Sequence, residues 1–258
     1  MAFQPIIDVE TAEVYAYEAL VRPTGGGDAS DILDRMHGHN RYAFDQMCRV
    51  KAIELAAQLE LDSFLSINFL PNAVYEAAAC LERTLDAARH ASFPLHQLIF
   101  EITENEPTRD IHQFKEIFSQ HKQNGMITAI DDFGAGHSGL SMLADFQPDI
   151  IKIDMELTRN IHTDRVRRSI ARAIVSLCRD LNILVIAEGV ETVDEAVTLR
   201  GLGVSLFQGY LFAKPAVESL PVILSGAIDA VHAAHEIKLA RGDEPEIPFA
   251  RARRLAGG

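Results

Sequence analysis

Eight short apolar runs rich in Val, Ile, Leu and Phe recur along this chain, most of them separated by stretches of helical period. They cover residues 2–7, 14–22, 64–70, 97–104, 127–132, 149–154, 183–188 and 204–211. Runs of this length and composition read as buried strands. The stretches 42–60, 73–90, 107–123, 163–181 and 192–201 are each long enough for a helix that packs one apolar face. Such alternation predicts a mostly parallel sheet, and eight strands favour closure into a (β/α)8 barrel of the TIM type over an open doubly wound sheet. Only a TAE turn separates the first two runs, so they are predicted to pair as a hairpin.

The chain has 258 residues, a size that single barrels of this class reach. Hydrophobic residues at 48% and charged residues at 24% suit a globular core. No segment reads as a signal peptide or a bilayer-spanning run, so a protein without membrane insertion is expected. Cys48, Cys80 and Cys178 are scattered and odd in number, which fits reduced thiols in a cytoplasm. A net charge of −13 opposes general nucleic-acid binding, so a phosphate-bearing substrate would need a local reversal of the field by bound cations. From about Ala230 the chain becomes charged and ends in ARARRLAGG, which reads as a helix running into a mobile, solvated tail.

Polar residues interrupt the strands near their C-terminal ends: Glu18, Asn68, Glu101 with Glu104, Asp131 with Asp132, Lys152 with Asp154, Glu188 with Glu191, and Gln208. In a parallel barrel those ends converge on one face. Carboxylates and amides there, with no His or Cys in matching positions, are ligands for Mg²⁺ or Mn²⁺ rather than zinc. Asp131 and Asp132 would point to opposite faces of an extended strand, so both reach one mouth only if Gly134 and Gly136 bend the chain. Lys152 and Asp154 share a strand face, and Glu188 offers a base near a metal-activated water. Singly, each acid could be a strand-end salt bridge or a cap, and Asn68 could cap the helix after Pro71. Their joint placement favours a site.

The ordered blocks FQPI (3–6), EALVR (18–22), NFLP (68–71), EITE (101–104), DDFGAG (131–136), KID (152–154), AEGVE (187–191) and QGYLF (208–212) resemble the EAL family of cyclic-di-GMP phosphodiesterases from residue 3 to about 222. The resemblance implies a TIM-like barrel with an antiparallel first strand, occupying 1–229, with 230–258 as a C-terminal helix and tail. It implies hydrolysis of cyclic di-GMP to linear pGpG with two Mg²⁺ or Mn²⁺ ions. Carried over by position, Glu18, Asn68, Glu101 and Asp131 would be metal ligands, Asp131 bridging and Asp132 on the second ion. Lys152 would bind the nucleophilic water, and Glu188 would support the second metal or act as general base. Gln4, Leu20, Arg22, Asp154 and Gln208 would line the substrate pocket; Glu104 and Glu191 would support loops. A homodimer is implied as well.

Ala135 stands where the family often has Thr, and His137 where it often has an aromatic, changes that bear on activity without deleting a ligand. Since the chain begins almost at the FQPI strand, an upstream sensor or regulatory partner is a further expectation. The alternative class is a catalytically silent EAL module that binds the dinucleotide or a protein. His232 with His235, the His37-Gly38-His39 loop and the arginines of 165–168 read as solvated surface groups, with no third ligand for a metal.

Overall fold

In the computed structural model, residues 1–23, 32, 39–70, 77–104, 111–136 and 139–241 are described, with the backbone alone for 39, 77–80 and 111–114. Strands β1 (Ala2–Asp8) and β2 (Glu13–Leu20) form the hairpin, Gln4 facing Glu18 across it. There follow β3 (Phe64–Asn68), β4 (Leu98–Thr103), β5 (Ile127–Phe133), β6 (Ile150–Ile153), β7 (Leu184–Ala187) and β8 (Leu206–Phe207), each parallel to the one before. β1 pairs antiparallel with both β2 and β8, which closes an eight-stranded barrel with one reversed strand. A ninth strand, β9 (Ala216–Val217), extends the sheet along the start of β1.

Around the barrel lie α1 (His39–Gln58), α2 (Ala77–Ala91), α3 (Ile111–Gln123), α4 (Gly139–Asp145), α5 (Met155–Thr158), α6 (Arg165–Asp180), α7 (Val193–Gly201) and α8 (Ala227–Arg241). The outward strand residues Leu65, Ile67, Phe100, Ile130 and Ile151 share a core with Ala52, Ile53, Ile117, Val175 and Val197 of the helices. The short α4 and α5 and the two-residue β9 were not foreseen, since each is too brief to show a period. β3, β6 and β8 end earlier than their apolar runs.

A second, smaller cluster fills the barrel itself: Ile6, Ala16, Ile99, Ile127, Ala129, Ile150, Ile186 and Leu206. Side chains alternate along a strand, so the residue two positions further towards the mouth is again inward. Those residues are Gln4, Glu18, Glu101, Asp131, Lys152, Glu188 and Gln208. An apolar floor thus carries a polar layer directly above it.

The C-terminal helix corrects one expectation. α8 packs on α7, with Val231 and His235 buried, and His232 Nε2 lies 2.6 Å from the carbonyl oxygen of Val9. Spacing of i, i+3 puts both histidines on the packed face, so neither is a solvated surface group. Arg167 and Arg168 are half-buried and donate to the carbonyls of Arg159 and His162. The His37–His39 side chains and the tail from 242 lie outside the described residues. No helix among those described is long and apolar enough to cross a membrane.

Candidate active site

Lys152, projecting from β6, is the centre of the polar layer and is fully buried. Its Nζ lies 2.7 Å from Glu188 Oε1, 3.0 Å from Glu101 Oε2, 3.1 Å from Asp131 Oδ1 and 3.5 Å from Glu18 Oε2. Five strands deliver these groups. Glu18 is held further by Asn68 Nδ2 and Gln208 Nε2, each donating to one of its oxygens at 2.9 Å. Ser66, inward on β3 between Phe64 and Asn68, donates its hydroxyl to Glu101 Oε1. Sequence reasoning passed over Ser66, although the period of two that marked Asn68 also marks it.

Asp131 and Asp132 both reach the mouth, by a device other than the expected glycine bend. Ile130 pairs with Ile151 and Phe133 with Ile153, so β5 spends three residues where β6 spends two. The extra residue is a β-bulge, and Asp132 within it has φ +54, in the left-handed region that aspartate tolerates. Its N–H donates to Asp131 Oδ1 at 2.9 Å. Glu18, Glu101 and Asp131 place ligand oxygens within 4.8 Å of one another, and so do Asp131, Asp132 and Glu188. The two triads share Asp131.

Glu104, at the end of β4, is buried beneath the loop that follows β5. Its carboxylate accepts from the backbone N–H of Gly134 at 2.7 Å, Gly136 at 3.3 Å and Gly139 at 2.6 Å. His137, inside this loop, lies outside the described residues, while Ala135 is exposed. Asp154 sits just past the end of β6 and caps α5, accepting from Glu156 N–H at 2.7 Å, while its carboxyl also meets that of Asp132.

The electrostatics follow from crowding acids into a closed space. Burial pushes the Glu101 carboxyl up to about 8, with Glu18 and Asp131 adding to the effect against the pull of Lys152. Burial also raises Asp132 to about 7, aided by the charges of Asp131 and Asp154. Glu188 is pushed well above the carboxylate range, by burial first and then by Asp131. Burial opposes the charge on Lys152, yet Asp131, Glu101, Glu18 and Glu188 outweigh it and hold the ammonium. For Glu18, Lys152, Gln208 and Asn68 overcome the cost of burial and leave its carboxyl low.

Other expected residues border this cluster and bond elsewhere. Gln4 Nε2 donates to the Ala213 carbonyl at 3.3 Å, and Arg22 donates to the carbonyl of its neighbour Val21. Leu20 ends β2 half-buried at the mouth. Glu191 is exposed and pairs with Arg159 at 2.8 Å, tying the segment after β7 to the end of α5.

Residues 1–215 match the family described as the EAL domain. The chain belongs to the EAL domain family. This EAL domain is 35% identical over 223 residues to the blue light- and temperature-regulated antirepressor BluF of Escherichia coli, covering 86% of the chain and 55% of the relative. It is 31% identical to a probable cyclic di-GMP phosphodiesterase, PdeD, of the same organism, covering 87% of the chain and 43% of the relative. The chain thus spans about half the length of these curated relatives. Among solved structures, a standalone EAL protein from Vibrio cholerae bound to c-di-GMP aligns with TM-score 0.85 and 52% identity, covering 88% of this chain and 96% of that one. The Klebsiella pneumoniae BlrP1 complex with manganese and the dinucleotide aligns with TM-score 0.80 and 39% identity, covering 84% and 56%.

Proposed function

We propose that this EAL domain is a phosphodiesterase that hydrolyses cyclic di-GMP to linear pGpG with two divalent cations, Mg²⁺ or Mn²⁺. The observation that carries this reading is the pair of carboxylate triads sharing Asp131 at the mouth of the barrel. Five carboxylates, Glu18, Glu101, Asp131, Asp132 and Glu188, face one ammonium, a formal charge of −4 that two divalent ions would offset. The donors are all oxygen, as hard cations require. In this reading Glu18, Asn68, Glu101 and Asp131 hold one ion, and Asp131, Asp132 and Glu188 the other.

Cations bound there supply Lewis acidity, activating water and offsetting charge on the phosphodiester. The rest is work for the chain. Lys152 Nζ donates to the attacking water or to the phosphate oxygen on which charge gathers, and Glu188, beside it and returned to its charged form by the neighbouring cations, either supports the second ion or takes the proton. Asn68 and Gln208 fix the rotamer of Glu18, and Glu104 fixes the loop behind Asp132. Gln4, Leu20, Arg22, Gln208 and Asp154 line the dinucleotide site, with Glu191 bracing the neighbouring loop. The unit is residues 1–229, a boundary that falls inside α8 (Ala227–Arg241), acting in the cytoplasm as a homodimer under a sensor or regulatory partner.

Incubation with cyclic di-GMP and Mn²⁺ or Mg²⁺, beside Glu18→Ala and EDTA controls, tests the reading. Metal-dependent pGpG, absent from both controls, supports it. A second reading has support in the relative named an antirepressor: a silent module that binds the dinucleotide or a protein. Tight dinucleotide binding without product would favour it.

A further inference from the structure

α5 is a single helical turn, yet it is stitched to the segment after β7 at every step. Asp154, two residues past Lys152, caps its start. Gly189, with φ +61, faces Met155 so closely that a Cβ there would come within 2.4 Å of the Met155 Cβ. Beyond the helix, Arg159 pairs with Glu191, and Asn160 N–H donates to Glu195 Oε1 at 2.8 Å. In the middle stands Thr158, fully buried, whose hydroxyl donates to the backbone carbonyl of Glu188. The Met155 carbonyl lies 3.2 Å away. That is the ordinary partner of a helical threonine, but a hydroxyl carries one proton and Glu188 is the nearer acceptor.

We propose that Thr158 is a positioning residue which sets the Glu188 carboxylate against the Lys152 ammonium. Both strand ends carry half of the shortest ion pair in the cluster, and α5 is the strut between them. Lys152 leads through Asp154 into the turn; Thr158 closes the turn onto the carbonyl of Glu188. Removing the hydroxyl leaves that carbonyl without its side-chain donor and frees the Glu188 backbone to shift. Nothing in the local sequence announces this, because Thr158 is distant in sequence from Glu188 and belongs to no strand.

The kinetic part of the test rests on the phosphodiesterase reading, so it is paired with a measurement that does not. Thr158→Val keeps shape and removes the hydroxyl; Thr158→Ser restores it; Thr163→Val, at an exposed threonine whose hydroxyl bonds only the Asn160 carbonyl in its own turn, is the control. In protein free of metal and substrate, hydrogen exchange of the peptide spanning 184–192 is expected to accelerate in Thr158→Val alone. The Glu188 and Val190 amides, which donate to Ile153 and Gln208 at 3.1 Å, are the reporters. With cyclic di-GMP and Mn²⁺, kcat of Thr158→Val is expected to fall about tenfold, the range for outer positioning groups, with KM within about twofold and recovery in Thr158→Ser. Unchanged exchange in Thr158→Val, or equal losses in the Val and Ser variants, would overturn the proposal. If the wild-type protein yields no pGpG, the phosphodiesterase reading fails and the exchange result alone decides for or against the strut.

Discussion

Lys152 and Glu188 stand 2.7 Å apart, closer than Lys152 stands to any of its other three carboxylate neighbours. The ammonium is therefore the counter-charge for a cluster with more acid than it can neutralise.

Replacing it should expose that imbalance. Lys152→Met is expected to abolish turnover and to cost metal-free stability about 3–5 kcal/mol, the usual result of stripping one partner from a buried ion pair. Mn²⁺ should return part of the loss, because a ligand of the folded state stabilises it by mass action. Thermal melts with EDTA and with Mn²⁺ check this. A variant as stable as wild type in EDTA would show that the acids do not depend on Lys152.

The loop behind Asp132 hangs on one carboxylate. Glu104→Gln keeps the shape but turns an amide NH₂ towards N–H groups that need an acceptor, and about 1–3 kcal/mol of stability should go. Turnover should fall about 10–100-fold through misplacement of Asp132. Unfolding in urea and steady-state kinetics measure the two effects separately.

Acid lability should trace in part to His121. This ring packs on Phe100 and Phe69, and burial pushes it down to about 4 from an ordinary 6.5, with the Arg49 charge adding to the effect and the Ile117 carbonyl opposing it. The unfolded chain takes up the proton first, so stability is intact above pH 6.5 and is lost as pH falls towards 4. At pH 5 the loss is about 2 kcal/mol. His121→Phe should flatten this part of the profile, as seen by comparing unfolding at pH 7.5 and pH 5.

Gly209 lies where the ends of β7 and β8 touch. A Cβ there would fall 2.0 Å from the Val190 carbonyl oxygen and 2.4 Å from its nitrogen, and both are backbone atoms that cannot turn aside. Gly209→Ala should cost about 3 kcal/mol or more and displace Gln208 from Glu18. Chemical denaturation reads the first effect. A change below about 1 kcal/mol would show that the contact relaxes freely.

The barrel was legible because its strands announce themselves twice, as apolar runs and as polar residues at their mouth-facing ends. Glu18, Glu101, Asp131, Lys152, Glu188 and Gln208 fall on one inward layer for that reason. What stayed hidden was set by contacts distant in sequence or by elements too short to carry a period. Ser66 shares the alternation that marks Asn68, but its bond to Glu101 needed the register of β3 against β4, and Thr158 needed a one-turn helix that no pattern could reveal. The histidines of α8 looked solvated because the sequence does not say which face of a polar helix lies on α7.

The bulge in β5 makes the second acid a matter of counting. Asp132 reaches the mouth because one residue more lies between Ile130 and Phe133 than the neighbouring strand requires. The two residues between Ile130 and Phe133 are the two acids themselves, so a chain one position shorter there would bring β5 back into step with β6 and present a single carboxylate to the mouth. The second triad of oxygens therefore depends on that extra position in the strand as much as on the identity of the residue that fills it.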